Sequence, residues 1–450
     1  MKALLKYGLV LLLWQTVALP AATVVTNFSG GNTITLFVQS NGSLWGMGTS
    51  VFGQLGDGTS GATNRPEQII SNGVAAVACG AIHSLVLKSD GSLWTTGWNG
   101  SGQLGDGTFN STNMPKKIVS GGVVAIAAAA DHSMFVKSDG SLWAMGVNSH
   151  GELGDGTVNS TNQPELIVPT NVVAVSLGAG HSLFIKSDGS LWGMGDNSYG
   201  ELGDGTFNST NRPELIIPAG VIAITAGSFC SLFIKSDGSL WGMGANNYGQ
   251  IGDGTLNNTN RPEQVVSNGV IQVVAAQTGG QTLFLKSNGS LWGMGYNTAG
   301  QLGDSNLLKK ISIPSLIVSN DVSAIAVGQE HSLFLKSDGS LWGMGDMYYR
   351  QLGDGFTNAF SFIPEQIYPS PQPLLTNRVS SKTNLQFNAA CPFGGKFYLL
   401  AGTNLVQPVS QWIPVATNVI NNRTNNLFSA TLTNAVNSGT GQQYYILQSQ

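Results

Sequence analysis

The stretch "HSLFIKSDGSLWGMGDNSYGELGDGT", residues 181–206, decides the fold. Its last part alone reads as a glycine-rich loop, with Asp204 set between two glycines as if to hold a phosphate or a metal. The rest of the chain removes that impression, because close copies of 190–206 stand at 43–59, 92–108, 141–157, 239–255, 290–306 and 340–356. A feature that one chain makes seven times is architecture before it is chemistry.

The copies are marked by Trp45, Trp94, Trp143, Trp192, Trp241, Trp292 and Trp342, spaced by 49, 49, 49, 49, 51 and 50 residues. That period belongs to propellers and solenoids. Each unit also carries a proline at nearly the same phase, from Pro66 to Pro364. Within one unit, "VVAVSLG" (172–178) is a β-branched apolar run, and "HSLFIKSDGSLWGMG" (181–195) is two runs joined by a Ser-Asp-Gly-Ser turn. Asp-Gly between apolar runs is a strong hairpin signal. "PELIVP" (164–169) and its equivalents add a fourth run behind a proline suited to an edge strand. Four antiparallel strands per repeat, made seven times, predict an all-β, seven-bladed propeller with four-stranded blades. A linear solenoid would need atypical capping repeats, and the first and last units match the middle ones.

The combination G-[QE]-L-G-D-G, a proline, an apolar run, G-x-x-H-S-L and D-G-S-L-W resembles the repeat of the regulator of chromosome condensation family, a seven-bladed β-propeller. The resemblance covers residues 25–367 and implies fold firmly, function only loosely. It implies two precedents: founders that act as exchange factors for a small GTPase and contact chromatin, and a secreted bacterial propeller that inhibits β-lactamases through an aromatic face.

Outside the repeats, "MKALLKYGLVLLLWQTVALPAA" (1–22) has the layout of a bacterial secretory signal peptide, with two lysines before an apolar run too short to span a membrane comfortably. The expected organisation is therefore signal peptide 1–22, propeller 23–367, proline-rich linker 368–377 and a small C-terminal β-sandwich-like domain 378–450. That last domain loosely resembles accessory modules of secreted environmental-bacterial proteins. The expected location is secreted, periplasmic or envelope-associated, as a monomer with no membrane span once the signal is removed. Without Lys2 and Lys6 the chain keeps 18 basic against 24 acidic side chains. This balance lacks the basic footprint that nucleic acid requires, and it argues with the leader against the chromatin precedent. Cys79, Cys230 and Cys391 show no CxxC spacing and form an odd set, and Cys79 and Cys230 read as buried free thiols.

Several repeated residues invite chemistry and receive structural readings. The aspartates Asp57, Asp106, Asp155, Asp204, Asp253, Asp304 and Asp354 each stand alone, without the ligand run of a calcium loop, and suit tight turns. In unit six Ser305 replaces a glycine, so that loop is expected to differ. His83, His132, His181 and His331 give way to Ile34, Cys230 and Gln281 in the other units, which indicates packing or hydrogen bonding rather than ligation. Lys88, Lys137, Lys186, Lys235, Lys286 and Lys336 would form a ring, but five of them have an aspartate two residues on, so a solvated, locally neutral face is expected. Neither a cofactor nor a metal is expected.

Symmetry directs the search for function to where units differ. The stretch between the Trp strand and the next G-[QE]-L-G varies most, and it contributes Phe52, Trp98, His150, Tyr199, Tyr248, Tyr296, Tyr348 and Tyr349. Equivalent loops of a propeller emerge on one face, and exposed aromatics on rigid loops are protein-binding anchors. A second variable loop adds Phe109, Phe207, Leu256, Lys309, Lys310, Phe356 and Phe360. The leading expectation is a non-catalytic binder of a protein through those loops. The alternatives are an adhesive or structural surface protein, with cell-surface glycan as a further partner class, and a carbohydrate-active enzyme. For the enzyme, Asp196 and Asp346 share a phase but lack an evident partner carboxylate, and no serine-hydrolase, zinc-protease or P-loop motif is present.

Overall fold

A computed structural model describes residues 23–303, 309–355 and 360–368, together with the backbone of six strands beyond them. The first part is seven four-stranded antiparallel sheets, each made of consecutive strands. Blade 1 holds Val25–Gly30, Ile34–Gln39, Leu44–Thr49 and Ala62–Ile70. Blade 4 repeats the plan with Val172–Leu177, His181–Lys186, Leu191–Gly195 and Thr210–Ile217. The last strand of blade 7 is Phe360–Tyr368. First strands of successive blades lie side by side, including those of blades 7 and 1, so the first strand is innermost and the ring is closed. The six later strands pair as two three-stranded antiparallel sheets. The leader, the serine-altered loop at 304–308 and Cys391 lie outside the described residues.

The hairpin shows how the repeat writes its own geometry. In blade 4, Gly189 at φ +78° closes a turn by donating its N–H to Lys186 C=O at 2.9 Å, a conformation that favours glycine. Asp188 Oδ1 accepts the Ser190 N–H at 2.9 Å and hydroxyl at 2.6 Å, and these bonds hold its carboxyl below the usual carboxylate range. Trp192 Nε1 donates to Ser190 Oγ at 2.9 Å, and Lys186 Nζ sits 4.0 Å from the indole centroid. The lysines at 88, 137, 235, 286 and 336 lie over their own tryptophans in the same way. The expected solvated ring is therefore a set of cation–π contacts, and the lysines are half-buried rather than free in solvent. In blade 1 Gln39 replaces the lysine and donates instead to the Tyr368 hydroxyl of blade 7 at 2.8 Å.

The core lies between blades rather than within them. Each of its seven clusters joins two neighbours, for example Met134, Val136, Leu142 and Leu153 of blade 3 with Phe184 and Met194 of blade 4. Phe184 is fully buried and stacks on Trp192 at 6.2 Å. Gly154, the second glycine of the G-E-L-G in blade 3, has φ +78°, and a Cβ there would meet Met194 Sδ at 3.0 Å. The two most repeated motifs thus touch across every seam. At closure, Phe37 and Met47 of blade 1 enter blade 7 beside Leu333, Leu341 and Leu352, and Gly353 takes the Met47 thioether. No strand is shared between the first and last sheets; apolar packing closes the ring, with hydrogen bonds such as Gln39 to Tyr368 across the seam.

Phe184→Ala and Phe37→Ala should each cost about 3–5 kcal/mol as large buried aromatics are deleted. Urea unfolding should show comparable losses at the ordinary seam and at the closing one; a near-zero loss for Phe37→Ala would contradict closure by packing.

Candidate functional site: the loop face

Inner strands end, and second strands begin, on the face where third strands also hand over to the long variable loops. This loop face therefore carries short inner loops near the channel and long loops outside them. The hairpins, the start of Val25–Gly30 and the end of Phe360–Tyr368 lie on the opposite face.

The long loops are rigid. In blade 4, Asn197 Oδ1 accepts Leu202 N–H at 2.9 Å, while its Nδ2 donates to Asp204 Oδ1 at 3.1 Å. Asp204 also accepts Thr206 N–H at 2.8 Å, and Gly205 N–H reaches the carbonyl of Asn260 in the next blade at 2.8 Å. Burial opposes the charge of Asp204, but these bonds outweigh it and hold its carboxyl low. The aspartate of the G-D-G is thus spent on its own turn. Among the described residues no group of three or more His, Cys, Asp or Glu side chains is arranged to hold a metal ion.

The histidines form seams. His132 Nε2 lies 3.0 Å from Ser182 Oγ of the next blade, and Ser182 already donates its only proton to Glu152 C=O at 2.8 Å. His132 must therefore donate from Nε2, and its buried Nδ1 has no partner. His83 to Ser133, His181 to Ser231 and His331 to Thr35 repeat the contact at 2.8, 2.9 and 3.1 Å. Burial lowers these imidazoles to about 3 for His83, His132 and His331 and about 4 for His181. In blade 4 a Cβ on Gly178 would fall on the His181 ring, whereas blade 3 carries Ala129 at the equivalent position before His132. Cys79 and Cys230 are buried free thiols, pushed up to about 11 and about 12 by burial.

The variable-loop aromatics are brought together in pairs across blades. Phe52 of blade 1 meets Trp98 of blade 2 edge-on at 5.0 Å, and Tyr248 of blade 5 meets Tyr296 of blade 6 at 5.0 Å. Tyr199 pairs with Phe229 at 5.3 Å, and Tyr348 with its neighbour Tyr349 at 5.1 Å. Part of each ring covers the neighbouring blade. The rest stays accessible: Phe52, Tyr199, Tyr248 and Tyr349 are 38–42% exposed, and Tyr348 stands out at 72%. His150 is exposed, its Nδ1 3.2 Å from Ser149 Oγ. Of the second loop, Phe109, Phe207 and Leu256 are exposed, and Lys310 Nζ lies 5.2 Å from the Tyr248 centroid; Phe356 lies outside the described residues.

Sequence reading missed Phe229, which lies on an inner loop and shows no periodic signal. It also named Asp196 and Asp346 without the acids that accompany them, Asp131, Glu152, Glu201 and Glu330. Glu201, fully buried, accepts Tyr199 N–H on Oε2 at 2.9 Å and leaves Oε1 without a partner. Burial, with Asp196 nearby, pushes it up to about 7. Burial likewise raises Asp131, Glu152 and Glu330, with Asp196 adding to Glu152 and Asp346 to Glu330. Asp196 is held low despite its burial by the Ser198 hydroxyl and N–H. The signal was present, since Glu152 and Glu201 stand where other units have glutamine.

On the opposite face, a bulge in the inner strand turns Val173 outward, 57% exposed, at the channel mouth. Val124, Ile222 and Ile271 do the same in blades 3, 5 and 6. At the outer edge, between blades 2 and 3, a shallow depression of about 300 Å³ holds the Lys116–Asp106 ion pair at 2.6 Å.

Fold and loops together define a propeller built from one-blade repeats, with an invariant frame and one variable face. The RCC1-like domain model matches residues 14–285, and Regulator of chromosome condensation (RCC1) repeat models match 288–335 and 322–351. The chain belongs to the RCC1-like family. Among solved structures, human WBSCR16 is similar at 22% identity and TM-score 0.64, covering 75% of this chain and 94% of that one. Prp20p of Saccharomyces cerevisiae, described with its binding properties to Gsp1p and histones, is similar at 20% identity and TM-score 0.66, covering 79% and 90%. Yeast RCC1 (Prp20) bound to Kap60 gives 19% identity, TM-score 0.66, and coverage of 79% and 86%. No curated protein matches the chain.

Two pH experiments probe these seams. An imidazole whose folded value lies below its unfolded value of 6.5 supplies stability above 6.5 that is lost as pH falls toward about 3. Each such histidine contributes a slope of about 1.4 kcal/mol per pH unit within that window. His132→Gln, which imitates Gln281, should therefore narrow its stability deficit to the wild type as pH drops from 6.5, read by melting temperature. Glu201 has the opposite sign, because its folded value of about 7 exceeds the unfolded 4.5. Glu201→Gln should raise the urea midpoint above pH 7, and the gain should fade on acidification toward 4.5.

Proposed function

We propose that this protein is a secreted or envelope-associated, non-catalytic interaction scaffold that binds another protein through its loop face. The observation that carries the reading is the meeting of unit-specific aromatics on one face, paired in place and partly exposed, while the repeated residues maintain the frame. Such rings offer large contact area at low entropic cost. The protein partners named for the Prp20 structures support the same class of function without identifying a target. The signal-like leader supports export. The turn aspartates and seam histidines are engaged structurally, which favours binding over chemistry at those positions.

The test is affinity capture from envelope and culture medium with the wild type and a Tyr199→Ala/Tyr248→Ala/Tyr348→Ala variant, both checked for the same melting behaviour. Each anchor should cost about 1–2 kcal/mol of binding, so a partner identified by mass spectrometry should be held by the wild type and lost by the variant. Equal retention by both would remove the loop face as the binding surface.

A further inference from the structure

We infer that the loop face selects a cationic protein segment, docked over the inner acids and held by the surrounding aromatics. The inference deepens the proposed function and rests on it. Its ground is the distribution of charge that departs from the repeat. On the rim Lys116 pairs with Asp106, and Arg65, Arg212 and Arg261 lie against the glycines of the G-D-G turns of blades 7, 3 and 4. On the hairpin face each lysine but one has an aspartate in its own turn. Near the channel on the loop face, six carboxylates gather with no ion pair among the described residues.

They form two groups. Asp131, Glu152, Asp196 and Glu201 lie on blades 3 and 4, and Glu330 and Asp346 on blade 7. Asp196 acts electrostatically on both glutamates of its group, and Asp346 acts on Glu330. Among the described residues the cations nearest in sequence position on these loops are Arg350, Lys309 and Lys310, with exposed His150 beside Asp196. Like charges gathered under burial cost stability, and at the positions of Glu152 and Glu201 the other five units manage with glutamine. Glu201 is the sharpest case, with its unpartnered, buried Oε1 beside Asp196. A Lys- or Arg-bearing segment would relieve the repulsion, while Tyr199, Phe229, Tyr348 and Tyr349 would pack its aliphatic stems and guanidinium or ammonium groups. Both ends of the described ring lie on the hairpin face.

The experiment uses the full chain and two fluorescein-labelled peptides, one alternating lysine and glycine and one alternating glutamate and glycine, read by anisotropy at low and moderate salt. The lysine peptide should bind, more weakly as salt rises, and the glutamate peptide should not. Asp131→Asn/Glu152→Gln/Glu201→Gln/Glu330→Gln should weaken lysine-peptide binding by about tenfold or more. Asp139→Asn/Asp188→Asn/Asp237→Asn/Asp338→Asn makes the same change in net charge on the hairpin face, imitates Asn288, and should leave binding unchanged. If the loop-face variant melts early, Glu152→Gln/Glu201→Gln alone should still lose affinity. No binding by the wild type, equal loss from both quadruple variants, or full affinity in the loop-face variants would overturn the inference. If the peptide fails while the tyrosine variant still releases its captured protein, the interaction face stands and its preference for cations falls.

Discussion

Everything in this molecule depends on one contact, the insertion of a phenylalanine and a methionine from six of the seven blades, and of Val86 and Thr96 from blade 2, into the side of the blade before it. A four-stranded sheet with two apolar faces leaves both in water unless neighbouring blades cover them. The stack of blades covers both faces only if it returns on itself. Phe37 and Met47 complete the return against blade 7 with the same partners that Phe184 and Met194 find in blade 3. The glycine opposite each methionine exists to admit the thioether, and the left-handed turn it permits begins the variable loop. Packing and loop geometry are therefore set by the same residue.

The seam histidines add direction to that contact. The aromatic and thioether groups would tolerate small rotations of one blade against the next, whereas an Nε2–H aimed at a hydroxyl that is itself donating to a third segment fixes the angle. Neutrality is part of the arrangement, because a protonated ring would bury a charge with no acceptor at Nδ1. Ile34, Cys230 and Gln281 show that not every seam uses the device, and Gln281 replaces it by donating to Gly328 C=O at 3.1 Å.

Fold and blade count were legible because the period, the Asp-Gly turns and the alternation of apolar runs all act locally and recur. What lay beyond reading was whatever joins residues some fifty positions apart. His132 and Ser182 each belong to a recurring His-Ser pair, and nothing in either says that they meet. Val173 sits in a β-branched pair that reads as buried strand, but a bulge puts it outside. The face carrying the aromatics was legible from the equivalence of loops, whereas their pairing was not: Tyr248 is the fourth residue of its variable stretch and Tyr296 the first of the next. The charge of the lysine ring was also judged too locally, since the indole beneath Lys186 matters as much as Asp188 beside it.

The blades are made of consecutive strands, and the closing seam uses the same phenylalanine, methionine and histidine contacts as the ordinary seam between blades 3 and 4. The order of blades along the chain is then nearly a matter of bookkeeping, since the ring would be the same object if the polypeptide were opened at another of its short connections and joined at the present one. A gene built from such units can exchange, duplicate or renumber its loops without disturbing the frame. The surface that meets a partner is thus free to evolve by shuffling whole blades, as well as by changing single residues.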